Sequence, residues 1–296
     1  MRQLTLVVTC TDRKAAVPEA ALYARSLPAG TLDERAALWN KRVKNAPHTH
    51  SLTELYRGDH WTQALGLRDA ATEAGFTADL WVASAGLGLQ PVSASAPSYA
   101  ATFSTRHADS VATSAEGSAQ WWGRLQEGTG RVTLQELGKA GPVLMVLSQA
   151  YAKAMEAELY ELAAVASEAL LFGGADEIAG IRRVPADAGL RRSLGGTLTS
   201  LNVRMAASWL QLCEDSHLTS TATMDSWKKW ATSRSVPEQH NREPMADGEV
   251  VAFIQQRTAS QPGISRTRLL RLLRDEGRAC EQSRFANLYI QTMGER

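Results

Sequence analysis

Four short apolar runs constrain the fold of this chain more than any other feature of its sequence. They occupy residues 4–9, 79–84, 143–147 and 169–172, and each is nearly continuous in apolar side chains. Strands with this composition, without polar alternation, are covered on both faces. Helical patterns at 61–74 and 150–166 lie between the runs. Because strands that alternate with helices form parallel sheets, the sequence predicts an α/β three-layer sandwich with a central, mostly parallel sheet.

Changes in composition divide the chain into three parts. We predict an α/β catalytic domain over residues 1–215 and a linker with a short helix over 216–245, where Ser, Thr and two prolines accumulate. Residues 246–296 show three helical patterns and form the third part. Inside the first domain, the long connections at 15–55 and 100–135 are predicted to be lids or binding loops.

Charge and cysteine content exclude several classes of protein. The 32 Lys and Arg residues balance 31 Asp and Glu residues, so nucleic-acid binding would have to come from local clusters. No apolar run approaches the ~20 residues of a membrane helix, and the apolar start of the chain is too short for a signal peptide. Three distant cysteines do not indicate disulfides or a zinc site. We therefore predict a cytoplasmic protein without membrane contact, metal or cofactor.

The carboxy-terminal part has the clearest local cluster of charge. The window 257–284 contains seven arginines and three acidic residues. A first helix, a short turn and a second helix over residues 281–292 resemble a helix-turn-helix, with outward polar side chains suited to phosphates and base edges. The alternative is a solvated, arginine-rich face on a small helical bundle. The residues predicted to contact DNA here are Arg268, Arg271, Arg274 and Arg278 along one helical stripe, and Arg284 and Asn287 on the next helix.

The end of the first predicted strand has the strongest candidate for catalysis. Asp12 lies there, beside Arg13 and Lys14. Catalytic groups collect at the carboxyl ends of parallel strands, and neighbouring cations keep a carboxylate ionised. An ionised Asp12 would orient water or stabilise positive charge on a substrate. The alternative is an ordinary capping Asp in a strand-to-loop turn.

Further polar and glycine positions are predicted to converge on the same crevice. Glycines at 86 and 88 permit close backbone approach to a ligand, although Gly-x-Gly alone is too short for a dinucleotide motif. An aromatic at 99 is suited to stacking on a base. The predicted base pocket comprises Cys10, Thr11, Ser84, Gly86, Gly88, Tyr99 and His60. Phosphate contacts are predicted for Arg13, Lys14, Arg57, Ser200 and Arg204, the last two at a polar helix start.

Taken in order, these motifs resemble a bacterial family. Thr-Cys-Thr-Asp-Arg-Lys at 9–14, Leu-Tyr-Arg-Gly at 55–58, Ser-Ala-Gly-Leu-Gly-Leu at 84–89 and a Tyr-x-x-Thr starting at Tyr99 match its pattern of Cys-Ser-x-x-Lys, Leu-Tyr-x-Gly, Ser-Ala-x-x-Gly-Leu and Tyr-x-x-Thr. The family is related to peroxide-stress proteins and to a domain of archaeosine transglycosylases. Its fold is similar to that of the uracil-DNA-glycosylase superfamily, and the resemblance covers residues 4–210.

The resemblance implies a function. Asp12 falls where glycosylases of this fold carry their water-activating acid, and a phage-defence enzyme that removes hypermodified cytosine is similar to this branch. The Gly-Gln-Asp-Pro-Tyr and His-Pro-Ser-Pro loops of standard uracil glycosylases are missing from the sequence. We therefore expect a DNA N-glycosylase of antiviral defence that excises a modified base, such as glucosylated hydroxymethylcytosine, from double-stranded phage DNA. The alternatives are a non-catalytic DNA-binding regulator and a base-exchanging ribosyltransferase acting on RNA or nucleosides.

Overall fold

A computed structural model describes residues 1–127, 131–236 and 242–294 of the chain. Its contacts divide the chain into two units, Met1–Val236 and Pro237–Arg296. The strands of the first unit are β1 (Arg2–Thr9), β2 (His50–Ser51), β3 (Phe76–Ser84), β4 (Gly88–Pro91), β5 (Ser95–Ala96), β6 (Val143–Leu147), β7 (Ala169–Gly173) and β8 (Arg182–Val184). Its α-helices are α1 (Leu32–Asn45), α2 (Leu52–Leu55), α3 (Asp59–Glu73), α4 (Ala115–Gln126), α5 (Leu134–Ala140), α6 (Gln149–Ala154), α7 (Glu156–Ala163), α8 (Arg191–Leu194), α9 (Leu201–Gln211) and α10 (Thr221–Arg234).

A six-stranded sheet forms the centre of the first unit. Its strand order is β4-β3-β1-β6-β7-β8, and all neighbours are parallel except β3 and β4. Every residue of β6 and β7 is buried, as are the last six residues of β1, so side chains on both faces of these strands are covered. The predicted α/β class with a central, mostly parallel sheet is confirmed. The four predicted strands correspond to β1, β3, β6 and β7.

Several elements differ from the sequence-based prediction. Strand β4 was not predicted; it turns back on β3 through Gly88, whose φ of 73° favours glycine. The single helix predicted over 150–166 is two helices, α6 and α7, which meet at Met155. The long connections at 15–55 and 100–135 contain α1 and α4, so much of each is regular structure. Helix α1 begins with a capping box between Thr31 and Glu34, a signal that the sequence analysis overlooked.

The segment predicted as a linker contains a helix that packs on the first unit. In α10, the ring of Trp227 lies 6.0 Å from that of Phe172 and 5.4 Å from that of Trp209. Helix α10 therefore belongs to the hydrophobic core around the sheet, and the division between the two units follows it, at Val236.

The second unit has its own small core. Its helices are α11 (Asp247–Ser260), α12 (Arg266–Asp275) and α13 (Gln282–Met293), and two short parallel strands, β9 (Glu243–Pro244) and β10 (Arg278–Ala279), pair beside them. The core residues are Val250, Phe253, Ile254, Leu269, Leu270, Leu273, Cys280, Phe285 and Leu288. Helix α12 ends at Asp275, so the prediction that Arg278 continues its helical stripe is wrong. Gly277 stops the helix and Arg278 lies on β10.

Candidate functional site

The order of the strands identifies one crevice in the sheet. Chain connections leave β1 towards β3 on one side and leave β6 towards β7 on the other, although β1 and β6 are neighbours. At such a point the two connections diverge and open a crevice at the carboxyl ends of the strands, where α/β proteins commonly bind ligands. Here the crevice lies between Thr9 and Leu147. We call it the β1–β6 crevice.

A cysteine and a tyrosine meet across this crevice. Cys10 follows β1 and Tyr151 lies on α6, directly after β6; the Cys10 Sγ and Tyr151 Oη atoms are 3.1 Å apart. The Tyr151 hydroxyl also accepts a hydrogen bond of 3.1 Å from the Ala85 backbone N–H at the end of β3. Three strand ends are thus joined by one phenol. Tyr151 was not singled out in the sequence, although the strand-end argument that selected Asp12 applies equally to residues after β6.

A second hydroxyl network lies behind the first. The Tyr99 hydroxyl is hydrogen-bonded to the Ser84 hydroxyl and, at 2.7 Å, to the Tyr56 hydroxyl. Ser84 Oγ in turn accepts hydrogen bonds from the Gly86 and Leu87 backbone N–H groups, both at 3.1 Å. These amides are therefore already occupied, and the predicted base-pocket residues Ser84 and Gly86 are engaged in this network.

Tyr99 is buried within the protein. Its side chain has no exposed surface, and a Cβ added to Gly86 would lie only 2.4 Å from the ring. The predicted stacking of a base on Tyr99 is wrong for this conformation, because no ring face is open to solvent. Gly86 is needed here for close packing against the ring.

Burial determines the protonation state of the tyrosine hydroxyls in this network. It raises the pKa of Tyr56, Tyr99 and Tyr151 well above that of an exposed phenol, so these hydroxyls remain neutral hydrogen-bonding groups at neutral pH. Lys14 lies over the Tyr99 ring, with Nζ 4.4 Å from the centroid, and burial lowers the pKa of its amine.

The Lys14 side chain forms hydrogen bonds within the protein. Its Nζ donates to the carbonyl oxygens of Thr11 and Asp12, at 3.2 and 3.4 Å. The lysine therefore holds the loop after β1 against the tyrosine network. The prediction that Lys14 contacts a phosphate at the surface is therefore wrong.

Asp12 lies at the outer rim of the crevice. Its side chain is 73% exposed, and Oδ1 is 3.9 Å from Nε2 of His107. Arg13 and Arg57 are both exposed. Their segments are adjacent, because the Arg57 backbone N–H donates to the Arg13 carbonyl at 3.0 Å. The structure thus brings one carboxylate and two exposed guanidinium-bearing residues to the same rim.

A cavity of about 460 Å³ opens at the end of β6. Its wall includes Ser148, Gln149 and Lys153 from the β6 side. The opposite wall is the loop from Phe103 to Arg106, and the next residue of this loop, His107, is the neighbour of Asp12. The loop is held in place by the buried Asp109, whose carboxylate pairs with Arg25 at 3.3 Å. The sequence analysis did not single out these cavity residues.

Three other predicted residues form a separate cluster beside the crevice. The Ser200 hydroxyl and the Arg204 guanidinium both bind the carboxylate of Asp59, the latter at 2.6 Å, and these contacts lower the pKa of Asp59. Their donors are therefore used within the protein. His60 Nε2 lies 3.1 Å from the Thr9 carbonyl, and burial lowers the pKa of His60, so its imidazole is a neutral support for the end of β1.

The arginine side chains of the second unit differ in exposure and in ion pairing. Arg278 pairs with Glu243 at 2.6 Å and Arg284 pairs with Asp247 at 2.5 Å. Arg274 is half-buried and donates to the Cys280 carbonyl at 3.3 Å, and Arg271 lies 3.8 Å from Asp275. Arg266 and Arg268 are exposed and form no ion pair within the described residues, and Asn287 is exposed as well.

Comparisons with known proteins give no relative for this chain: no family model matches it, and neither the curated proteins nor the solved structures contain a significant match. Within residues 1–127, 131–236 and 242–294, no group of three or more His, Cys, Asp or Glu side chains is placed to hold a metal ion. No helix of these ranges is long and apolar enough to span a bilayer.

Proposed function

We propose that this chain is a DNA N-glycosylase that hydrolyses the glycosidic bond of a modified nucleobase at the β1–β6 crevice. The observation that carries the proposal is the placement of an exposed carboxylate, Asp12, beside the loop that forms one wall of the 460 Å³ cavity. We further propose that helices cover the two faces of the sheet as a three-layer sandwich, as the resemblance to uracil-DNA glycosylases implies, and that the enzyme works in the cytoplasm.

The proposed reaction needs one carboxylate. Cleavage of the bond between sugar C1′ and the base nitrogen leaves positive charge on the sugar, which ionised Asp12 stabilises while it orients water. The water oxygen bonds to C1′, the bonding electrons leave with the base, and a proton from water ends on the base.

The leaving base requires hydrogen-bond donors, and the cavity supplies them. The Ser84 hydroxyl and the Gly86 amide are engaged in the tyrosine network, so they do not serve this role. Gln149 and Arg106 line the cavity and carry N–H donors. We propose that these two side chains receive the base and stabilise the negative charge that develops on it.

The size of the cavity suits an extrahelical nucleotide. A base inside a duplex does not expose its glycosidic bond to a protein side chain, so the enzyme must flip the nucleotide out of the stack. Ligand sites of about 300–1,000 Å³ are usual for small molecules, and 460 Å³ falls within this range.

We propose that α12, the following turn and α13 act as a helix-turn-helix that binds DNA. Exposed Arg266 and Arg268 at the start of α12 are the unpaired cations for phosphates. Replacing both by Gln should reduce the slope of log affinity against log salt by about 1.8, because each phosphate contact contributes about 0.9. Duplex titrations at several salt concentrations measure this slope.

Ion-paired arginines of the same unit provide the matched control. Replacing Arg278 and Arg284 by Gln removes the same formal charge but from guanidiniums that already neutralise Glu243 and Asp247. We expect this double variant to change the salt slope much less. Equal slopes for both double variants and the wild type would show that the arginines of this unit are a solvated face.

The decisive experiment for the proposed activity is detection of the released base. The full chain is incubated with duplexes containing cytosine, hydroxymethylcytosine or glucosylated hydroxymethylcytosine, and free base is identified by mass spectrometry. We expect release from a modified duplex, with abasic sites in equal amount. Binding without release would instead support a regulator, and exchange of a labelled free base into the nucleic acid would support a ribosyltransferase.

A further inference from the structure

A larger cavity lies on the other side of the Gly86 turn, away from the β1–β6 crevice. Its volume is about 770 Å³, against about 460 Å³ at the crevice. Its wall mixes polar and apolar side chains and comes from the β3–β4 edge of the sheet, the end of α1 and the segments around β2 and β5. Its apolar residues include Val43, Leu52, Leu89 and Val132. We call it the edge cavity.

Trp81 is an unusual residue in this wall. It lies in the middle of β3, between Val7 of β1 and Pro91 of β4, yet its side chain is only half-buried. Five of the eight tryptophans donate their indole N–H to a protein oxygen: Trp39, Trp61, Trp121, Trp122 and Trp209. Trp81 has no such acceptor among the described residues. Its ring and its N–H group are therefore available to a ligand in the edge cavity.

Arg131 is the second unusual residue. Its guanidinium is half-buried and donates to the Leu87 carbonyl at 2.9 Å. No carboxylate in the described ranges pairs with it, and burial lowers the pKa of its guanidinium. A half-buried cation without a counter-charge is costly, so an anionic group in the cavity would stabilise it.

The remaining charged groups of the wall favour an anion. Glu127 also lines the cavity; its carboxylate is 2.6 Å from the guanidinium of Arg124, which also binds Asp33. Lys44 adds an exposed ammonium at the end of α1. Arg131 and Lys44 are thus the two cations of the described wall that pair with no carboxylate, against the single carboxylate of Glu127.

We propose that the edge cavity is a separate binding site for a planar heteroaromatic anion of the nucleoside monophosphate class. The ring stacks on Trp81, whose N–H donates to a ring or sugar oxygen, and the phosphate binds the fork of Arg131. The volume lies within the range of small-ligand sites. This assignment is independent of the glycosylase proposal, because none of its residues takes part in the reaction at the β1–β6 crevice.

The test is calorimetric titration of the full chain with 5′-dGMP. We expect saturable binding of one equivalent and at least about tenfold weaker binding of deoxyguanosine, which lacks the charge-assisted phosphate bond. A trinucleotide with dG at its centre identifies the source of the ligand. Tighter binding of the trinucleotide indicates a nucleotide within a strand, and its exclusion indicates a free nucleotide.

Variants of the cavity residues test whether dGMP binds in the edge cavity. Arg131→Gln and Trp81→Leu should each weaken dGMP binding by about tenfold or more, whereas Arg68→Gln on the exposed surface of α3 should not change it. Thermal melting confirms that each variant is folded, and Arg131→Lys, which retains the charge, should bind with intermediate affinity. Absence of binding by the wild type, or binding that both cavity variants leave intact, would overturn the proposal.

Discussion

Replacement of Asp12 by Asn is expected to lower the rate of base release by two orders of magnitude or more while leaving the fold and the DNA affinity unchanged. The carboxylate is the group proposed to orient water and to stabilise charge on the sugar, and contributions of this kind are typically on the order of 10²–10⁴. The side chain is 73% exposed and packs in no core, so the variant should fold normally. Single-turnover base release, with enzyme in excess over duplex, measures the chemical step directly.

The matched control is Asp69→Asn, which removes an exposed carboxylate from α3. This variant should release base at the wild-type rate. A folded Asp12→Asn enzyme with near-normal release would remove Asp12 from the mechanism, even if the activity itself is a glycosylase. Release by the wild type therefore tests the function, and the variant tests the residue.

Replacement of Glu168 by Ala should cost about 2–3 kcal/mol in the free energy of unfolding. The Glu168 carboxylate, only 10% exposed, binds the guanidinium of Arg2, the imidazole of His217 and the backbone N–H of Thr219. It thereby joins the start of β1 to the segment that leads into α10. Removal of one partner from a fully buried pair costs about 3–5 kcal/mol; we expect less because the Arg2 side chain remains 32% exposed. Urea unfolding at pH 7 measures the difference.

The destabilisation should depend on pH in a defined direction. Burial acts to raise the pKa of Glu168, but the bonds from Thr219, Arg2 and His217 outweigh it, so the pKa in the folded protein is lowered. The stabilisation is therefore present above the ordinary carboxyl pKa and is lost as the pH falls through the lowered value. The difference in the free energy of unfolding between the wild type and Glu168→Ala should therefore become smaller in acid. Glu161→Gln, an exposed change on α7, serves as the control, and a gap that stays constant down to pH 2 would contradict the assigned linkage.

Prediction from sequence was most accurate where local pattern and burial agree. The apolar runs located β1, β3, β6 and β7, because a strand buried on both faces has no polar alternation and is distinct from a half-exposed one. The helix predicted over residues 281–292 agrees with α13, Gln282–Met293, to within one residue at each end. Strand β4 was missed, since its four residues become a strand only through pairing with β3.

The sequence predicted where the candidate site lies, but not which of its side chains face solvent. Strand-end logic placed Cys10, Ser84 and Tyr99 near one another, and the structure does bring them to one edge of the sheet. Whether each side chain faces solvent or the interior depends on neighbours remote in sequence, such as Gly86 against the ring of Tyr99 and Lys14 over it. No periodicity in the sequence encodes such contacts.

Charge patterns were the least reliable guide. The arginines of residues 257–284 form a conspicuous cluster in the sequence, yet Arg278 and Arg284 are paired with Glu243 and Asp247, about 35 residues away in the chain. The same applies to Arg204, which binds Asp59. An ion pair between distant residues exists only after the chain has folded, because its energy depends on a separation of a few ångströms.

The sequence by itself determined the α/β class, the buried strands, the three helices at the carboxy terminus and the strand end that bears Asp12. These follow from local hydrophobic patterns, which act over a few residues. Only the tertiary structure decided that Tyr151 meets Cys10 across the β1–β6 crevice and that Tyr99 is enclosed. It also decided that Arg131, which lines the same cavity as Trp81, pairs with no carboxylate of the described residues. Each of these depends on which surfaces pack together. That is a property of the folded chain as a whole, because burial and charge pairing are set by groups far apart in sequence.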